Sequence, residues 1–179
     1  MDKLRIMSVF GTRPEAIKMC PLVKELASRP EVESLCCVTA QHRQMLDSVL
    51  EVFSLKPDYD LNIMTPRQTL STITSKCLTG MDEAIEELKP DMILVGHVEA
   101  GLRTYDKYSP FPEEMNRKMV SAIADLYFCP TINNKNNLIK EGITDGLFVT
   151  GNTVIDALKT TVRPDYRFAT EELNRLPYG

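Results

Sequence analysis

Between Leu4 and Val149, short runs of apolar residues take turns with stretches of helical periodicity. Residues 4–10 read Leu-Arg-Ile-Met-Ser-Val-Phe, a run suited to a strand covered on both faces, and they break at Gly11-Thr12-Arg13-Pro14. Pro14 fits the first position of a helix and Glu15 its first turn. Ile17, Val23, Leu26 and Ala27 supply that helix's predicted buried stripe, and Pro21 predicts a kink or an early end. The same reading predicts strands over 35–38, 59–63, 126–129 and 147–149, with helices over 44–53, 68–88, 113–124 and 133–141. Met45, Val49 and Phe53 mark one helical stripe, Ile73, Cys77, Met81, Ala84, Ile85 and Leu88 a second, and Met115, Met119 and Ile123 a third. Asp91 opens a further predicted strand through Met92-Ile93-Leu94-Val95, and Gly142 fits a helix C-cap. Strand and helix in alternation predict an α/β domain with a mainly parallel sheet, whose ligands bind beyond the carboxyl ends of the strands. After Leu158 the pattern weakens through Arg163-Pro164.

The 179 residues suffice for one domain or for one lobe of a larger enzyme. A net charge of −4 gives no overall attraction for a polyanion, so no nucleic-acid partner is expected. Apolar runs stay far below the roughly 18 residues of a membrane span, and the N-terminus lacks a signal-peptide core, so a cytoplasmic protein without membrane contact is expected. Five cysteines without C-x-x-C spacing read as buried thiols. His42 and His97 are the only imidazoles, and no metal-binding pair is formed by their spacing.

Four loops could carry chemistry. In Gly11-Thr12-Arg13-Pro14-Glu15-Ala16-Ile17-Lys18, a turn feeds a helix start flanked by two cations, which suits a phosphate and equally suits a solvated turn. Gly96-His97-Val98-Glu99-Ala100-Gly101-Leu102-Arg103 delivers a carboxylate to a strand end, either as general acid or base or as a surface partner of Arg103. Glu113, after Pro110 and Pro112, falls in a first helical turn, where dipole stabilisation alone favours an acid. Thr39-Ala40-Gln41-His42-Arg43-Gln44 follows the second strand and suits a nucleotide, a sugar or simple helix capping.

Five segments in order carry a family likeness: residues 9–18, 39–43, 57–61 (Pro-Asp-Tyr-Asp-Leu), 96–103 and 151–157 (Gly-Asn-Thr-Val-Ile-Asp-Ala). Together the sequence resembles the non-hydrolysing UDP-N-acetylglucosamine 2-epimerases from about Leu4 to Leu158. The resemblance implies the N-terminal Rossmann-like lobe of a two-lobed glycosyltransferase-B-type fold, with residues 159–179 a linker or the start of a second lobe. It implies interconversion of UDP-N-acetylglucosamine and UDP-N-acetylmannosamine, by elimination and re-addition of UDP with inversion of the C2 proton, in a homodimer serving surface polysaccharide synthesis. It implies no cofactor and no metal. Arg13 and Lys18 match positions that hold UDP, and Glu99 and Glu113 match two carboxylates required for activity. Gln41, Gln44 and Arg67 match positions that hold a second, allosteric UDP-N-acetylglucosamine.

Two departures from the family pattern stand out. Val95 joins Gly96 directly, where the family places a His-Gly-Asp-Thr loop and a helix, a whole crossover that includes a catalytic Asp. The family's C-terminal lobe, which completes the nucleotide pocket, has no counterpart in these residues. The expectation is therefore a chain that binds UDP-sugars poorly and does not turn them over alone. A hydrolysing 2-epimerase and a non-catalytic nucleotide-sugar-binding module are the alternatives.

Overall fold

The computed structural model describes residues 2–41, 43–91 and 94–175. The first half runs β1 (Leu4–Phe10), α1 (Arg13–Ser28), β2 (Val32–Val38), α2 (Arg43–Val52), β3 (Tyr59–Asp60) and α3 (Leu70–Leu88). The second runs β4 (Gly96–Val98), α4 (Glu113–Ile123), β5 (Leu126–Cys129), α5 (Ile132–Lys140), β6 (Leu147–Val149), α6 (Thr153–Thr161) and a short α7 (Glu171–Asn174). Each strand pair is parallel, as the alternation predicts. Among the described residues the strands form two three-stranded sheets, ordered β1-β2-β3 and β4-β5-β6.

The segment that joins the sheets touches both. Asp91 donates its N–H to the Arg5 carbonyl at 3.2 Å and takes the Arg5 N–H on its carboxylate at 2.6 Å, so its start lies along β1. Four residues on, the Val95 carbonyl accepts from Asp125 and Leu126, and the Val95 N–H donates to the Asp125 carboxylate, so its end lies at the mouth of β5. The strand predicted through 92–95 is thus confined to Gly96–Val98 among the described residues, with Met92 and Ile93 outside them.

Phe10, Cys20, Val38, Leu46, Val49 and Phe53 build the larger core, and Tyr127, Cys129 and Leu138 a smaller one. Helix α6 follows the second sheet yet packs on α1, and its Ala157 belongs to the larger core. The cysteines are free, four of them buried, and burial pushes the Cys20 thiol up to about 11 and Cys36 to about 12, outside the range of a nucleophile at neutral pH.

Three sequence expectations are corrected. Helix α1 runs through Pro21 without ending, because packing of its inner face compensates for one lost hydrogen bond. That face is Ala16, Cys20 and Val23, with Ile17 packed at its edge, while Leu26 is half-buried and Ala27 exposed. On α4 the Met115, Met119 and Ile123 stripe faces outward, and Glu114 and Ser121 face in. The apolar spacing was genuine, but polar contacts to the 103–105 loop orient this helix. Strand β3 stops at Asp60 because Asn62 turns the chain into the left-handed region at φ 43°.

Candidate functional site

The site gathers beyond the carboxyl ends of β1, β2, β4 and β6. At the first of these ends, a Cβ on Gly11 would lie 1.7 Å from the Thr39 Oγ1 atom, so a close approach of the loop after β2 requires glycine there. Helix α1 then starts with a self-made anion: the Glu15 carboxylate accepts the N–H groups of Gly11 and Thr12, both at 2.9 Å. These backbone donors are therefore already used. Any cation for a phosphate comes from the side chains of Arg13, which is exposed, and Lys18, one turn further in.

Lys18 meets Glu99. The two form an ion pair through Glu99 Oε2, with side chains 30% and 17% exposed, a geometry intermediate between surface and core. The other carboxylate oxygen, Oε1, accepts from the Asn152 side-chain amide at 3.2 Å. Asn152 is the N-cap of α6, its own side-chain oxygen taking the Val154 N–H at 3.0 Å. One carboxylate just past β4 is thus held by Lys18 of α1 on one side and by the N-cap of α6 on the other. Glu99 itself sits at φ 59°, a backbone conformation that non-glycine residues rarely adopt.

The loop that follows Glu99 is fastened at every step. Ala100 donates to the Phe128 carbonyl, and the Gly101 carbonyl accepts the amides of Asn134 at 3.3 Å and Asn137 at 3.1 Å. Arg103, its side chain fully buried, makes a two-pronged bond to Glu141, both contacts at 2.8 Å, and a third to Ser121. Burial works against the Arg103 charge, but Glu141 holds it charged, and Arg103 in turn holds the Glu141 carboxyl below the usual range. The surface pairing of Glu99 with Arg103 that spacing allowed is therefore absent, since each has another partner.

Glu114 completes the fastening. It is fully buried and takes the N–H groups of Thr104 and Tyr105, each at 3.1 Å. Its neighbour Glu113, the carboxylate singled out from sequence, is exposed, and among the described residues no hydrogen bond or ion pair joins it to Glu99. Adjacent glutamates on a helix point about 100° apart, so one anchors the loop while the other stays available.

His97 lies beneath this loop, 7% exposed, with Nδ1 3.3 Å from Ser121 Oγ. Burial, with Arg103 and Arg117 nearby, lowers its pKa to about 4, against a smaller opposing pull from Glu99. The unfolded chain therefore takes up a proton near pH 6.5 that the folded chain refuses until about 4, and stability falls as pH drops through that window. We expect a loss of about 3 kcal/mol from this group, measured by urea denaturation between pH 7 and 4. His97→Asn should flatten that part of the profile.

Of the three residues matched to a second nucleotide-sugar site, Gln41 follows β2, Gln44 is exposed on α2, and Arg67 is exposed at φ 58° past β3. No hydrogen bond links the three among the described residues. Instead Arg43 pairs with both Asp47 and Asp60. His42 lies outside the described residues. A cavity of about 480 Å³ opens between α1, α2 and α6, with Arg13 at its polar edge and Val49, Phe53 and Leu158 among its apolar walls.

Asn152, Glu114 and Glu15 are the site residues that sequence reasoning passed over. Asn152 stood inside the Gly-Asn-Thr-Val motif, and Asn before a helical run signals an N-cap, so the position, though not the bond to Glu99, was readable.

Comparison with known proteins places the chain in a family. The profile of the UDP-N-acetylglucosamine 2-epimerase family matches residues 24–96 and, as a separate stretch, 93–176. The Bacillus subtilis UDP-N-acetylglucosamine 2-epimerase is 57% identical over 188 aligned positions, which take in 93% of this chain and 50% of that protein. The Escherichia coli K12 enzyme of the same name is 50% identical across 87% of this chain and 47% of its own length. Among solved structures, the Neisseria meningitidis enzyme bound to UDP-GlcNAc superposes with a TM-score of 0.81 at 47% identity, covering 87% of this chain and 48% of that one. The S. aureus MnaA–UDP complex gives 0.85 at 51% identity, covering 96% and 50%. The chain thus spans about half the length of the relatives it matches, as one parallel α/β lobe of a glycosyltransferase-B-type fold. The Bacillus alignment also runs past the residues it covers here by roughly twenty positions, and the two profile stretches meet at 93–96, where the two sheets are joined. By sequence and by fold, the chain belongs to the UDP-N-acetylglucosamine 2-epimerase family.

Proposed function

We propose that this chain is the N-terminal half-site of a non-hydrolysing UDP-N-acetylglucosamine 2-epimerase, with residues 1–158 forming the lobe and 159–179 the lead into a second one. The observation that carries the reading is the Lys18–Glu99–Asn152 cluster: a cation and a carboxylate from different elements, in contact, at the ligand end of a parallel sheet. The chemistry fits that pairing. Departure of UDP needs positive charge against the diphosphate, which Arg13 and Lys18 supply, and inversion at C2 needs a carboxylate that takes and returns a proton, which is the role of Glu99. Glu113, exposed at the start of α4, is the second carboxylate in this reading.

The crossover expected between Val95 and Gly96 would lead the chain from the strand predicted at 92–95 into β4 through a loop and a helix. Its absence fits the two short sheets formed by the described residues and removes an acid from the cleft. The same reading includes Gln41, Gln44 and Arg67 as the regulatory site for a second UDP-N-acetylglucosamine, and a homodimer, which sedimentation would test. It also includes a cytoplasmic location; no helix among the described residues is long and apolar enough to cross a membrane.

Titration with UDP, followed by NMR, tests the nucleotide site. Saturable binding weaker than about 0.1 mM is expected, with Arg13→Met and Lys18→Met each weakening it by about tenfold, or 1.4 kcal/mol. Binding of equal strength in both variants would remove the assignment of the diphosphate to these cations.

A further inference from the structure

We propose that Asn152 is the positioning residue for Glu99, holding Oε1 so that Oε2 is the oxygen freed when a diphosphate draws Lys18 away. The inference rests on the nucleotide reading above for its last step and on geometry for the rest. Glu99 Oε2 faces Lys18, and Glu99 Oε1 faces the Asn152 amide at 3.2 Å. A lysine that neutralises a diphosphate cannot also fully neutralise Glu99, so the ion pair loosens as nucleotide arrives. The Asn152 bond need not, because Asn152 is fixed by its own backbone at the start of α6 and by its second bond, to the Val154 N–H. The carboxylate then keeps its place while gaining an unpaired oxygen suited to proton transfer.

Two jobs on one side chain can be separated by substitution. Asn152→Ser keeps a side-chain oxygen able to cap α6 but loses the amide donor to Glu99. Asn152→Ala loses both.

The test is the Asn152 side-chain amide signal in the 1H–15N spectrum of the 179-residue chain at neutral pH, recorded for the wild type, Glu99→Ala, Lys18→Met and His97→Asn. The expected result is a hydrogen-bonded amide position in the wild type, in Lys18→Met and in His97→Asn, and a shift toward the solvated position in Glu99→Ala. An amide signal unchanged by Glu99→Ala overturns the proposal. Asn152→Ser, which adds no charge beside Glu99, should unfold within a few degrees of the wild type, which separates positioning from capping. On adding UDP, the amide signal should hold its hydrogen-bonded position while the Lys18 Nζ signal moves; movement of the amide toward its solvated position overturns the proposal. Failure of UDP to bind would count against the nucleotide reading and leave the ligand-free result to decide the Asn152 bond.

Discussion

Gly101→Ala is expected to destabilise the fold by about 3–5 kcal/mol, enough to unfold a domain of ordinary stability. An added Cβ would lie 2.0 Å from the Asn134 backbone oxygen and 2.6 Å from its carbonyl carbon, and backbone cannot rotate aside as a side chain can. Alanine would also have to hold φ 79°, which adds about 1 kcal/mol to the steric cost. The consequence reaches the site, because Gly101 lies two residues from Glu99 and its carbonyl is clamped by Asn134 and Asn137 on α5. Chemical denaturation measures the effect. A midpoint within experimental error of the wild type would show that α5 gives way freely and that the loop is not rigidly fixed.

Glu141→Ala is expected to cost about 3 kcal/mol, since it strands a buried guanidinium without its partner. Arg103→Met should cost less, because the carboxylate left behind is 26% exposed and can find water. The double change should recover part of the loss, as apolar replacement of paired charges often does. Acid should have the same sense as the single change. The Glu141 carboxyl is held below its usual value chiefly by its bond to Arg103, so the pair contributes stability above about pH 4.5, the unfolded value, and loses it as pH falls through the folded one. Denaturation at pH 7 and pH 3 for wild type and Glu141→Ala checks both statements: the gap between the two should be smaller in acid.

The parallel α/β architecture was legible because strand runs and helical stripes follow periods that side-chain geometry imposes. Boundaries held to within a few residues where apolar burial set the element, as in Leu126–Cys129 and Arg43–Val52. The buried face of one helix and the length of one strand followed local polar and backbone features instead. Helix α4 is turned by Glu114 and Ser121, so its methionine stripe faces outward, and β3 is cut short by a left-handed asparagine. The loops that carry the site were found by motif, but their connections were not. Nothing in the spacing tells Arg103 to choose Glu141 38 residues away over Glu99 nearby, or Glu99 to choose Lys18 and Asn152. Such pairings depend on which strand ends the sheet brings together. The glycine at position 11 reads as a tight turn in sequence, whereas the structure requires it for the approach of Thr39.

In the proposed reading, the Glu99 cluster is a nucleotide-sugar half-site that engages substrate without turning it over. The direct test follows the C2 proton of UDP-N-acetylglucosamine by 1H NMR in D2O, with the chain present at stoichiometric concentration. The signal should broaden, the broadening should be lost in Lys18→Met, and the intensity should stay constant with time. Loss of the C2 proton signal through exchange would contradict the claim by showing turnover, and an unbroadened signal would contradict it by showing that no half-site is formed.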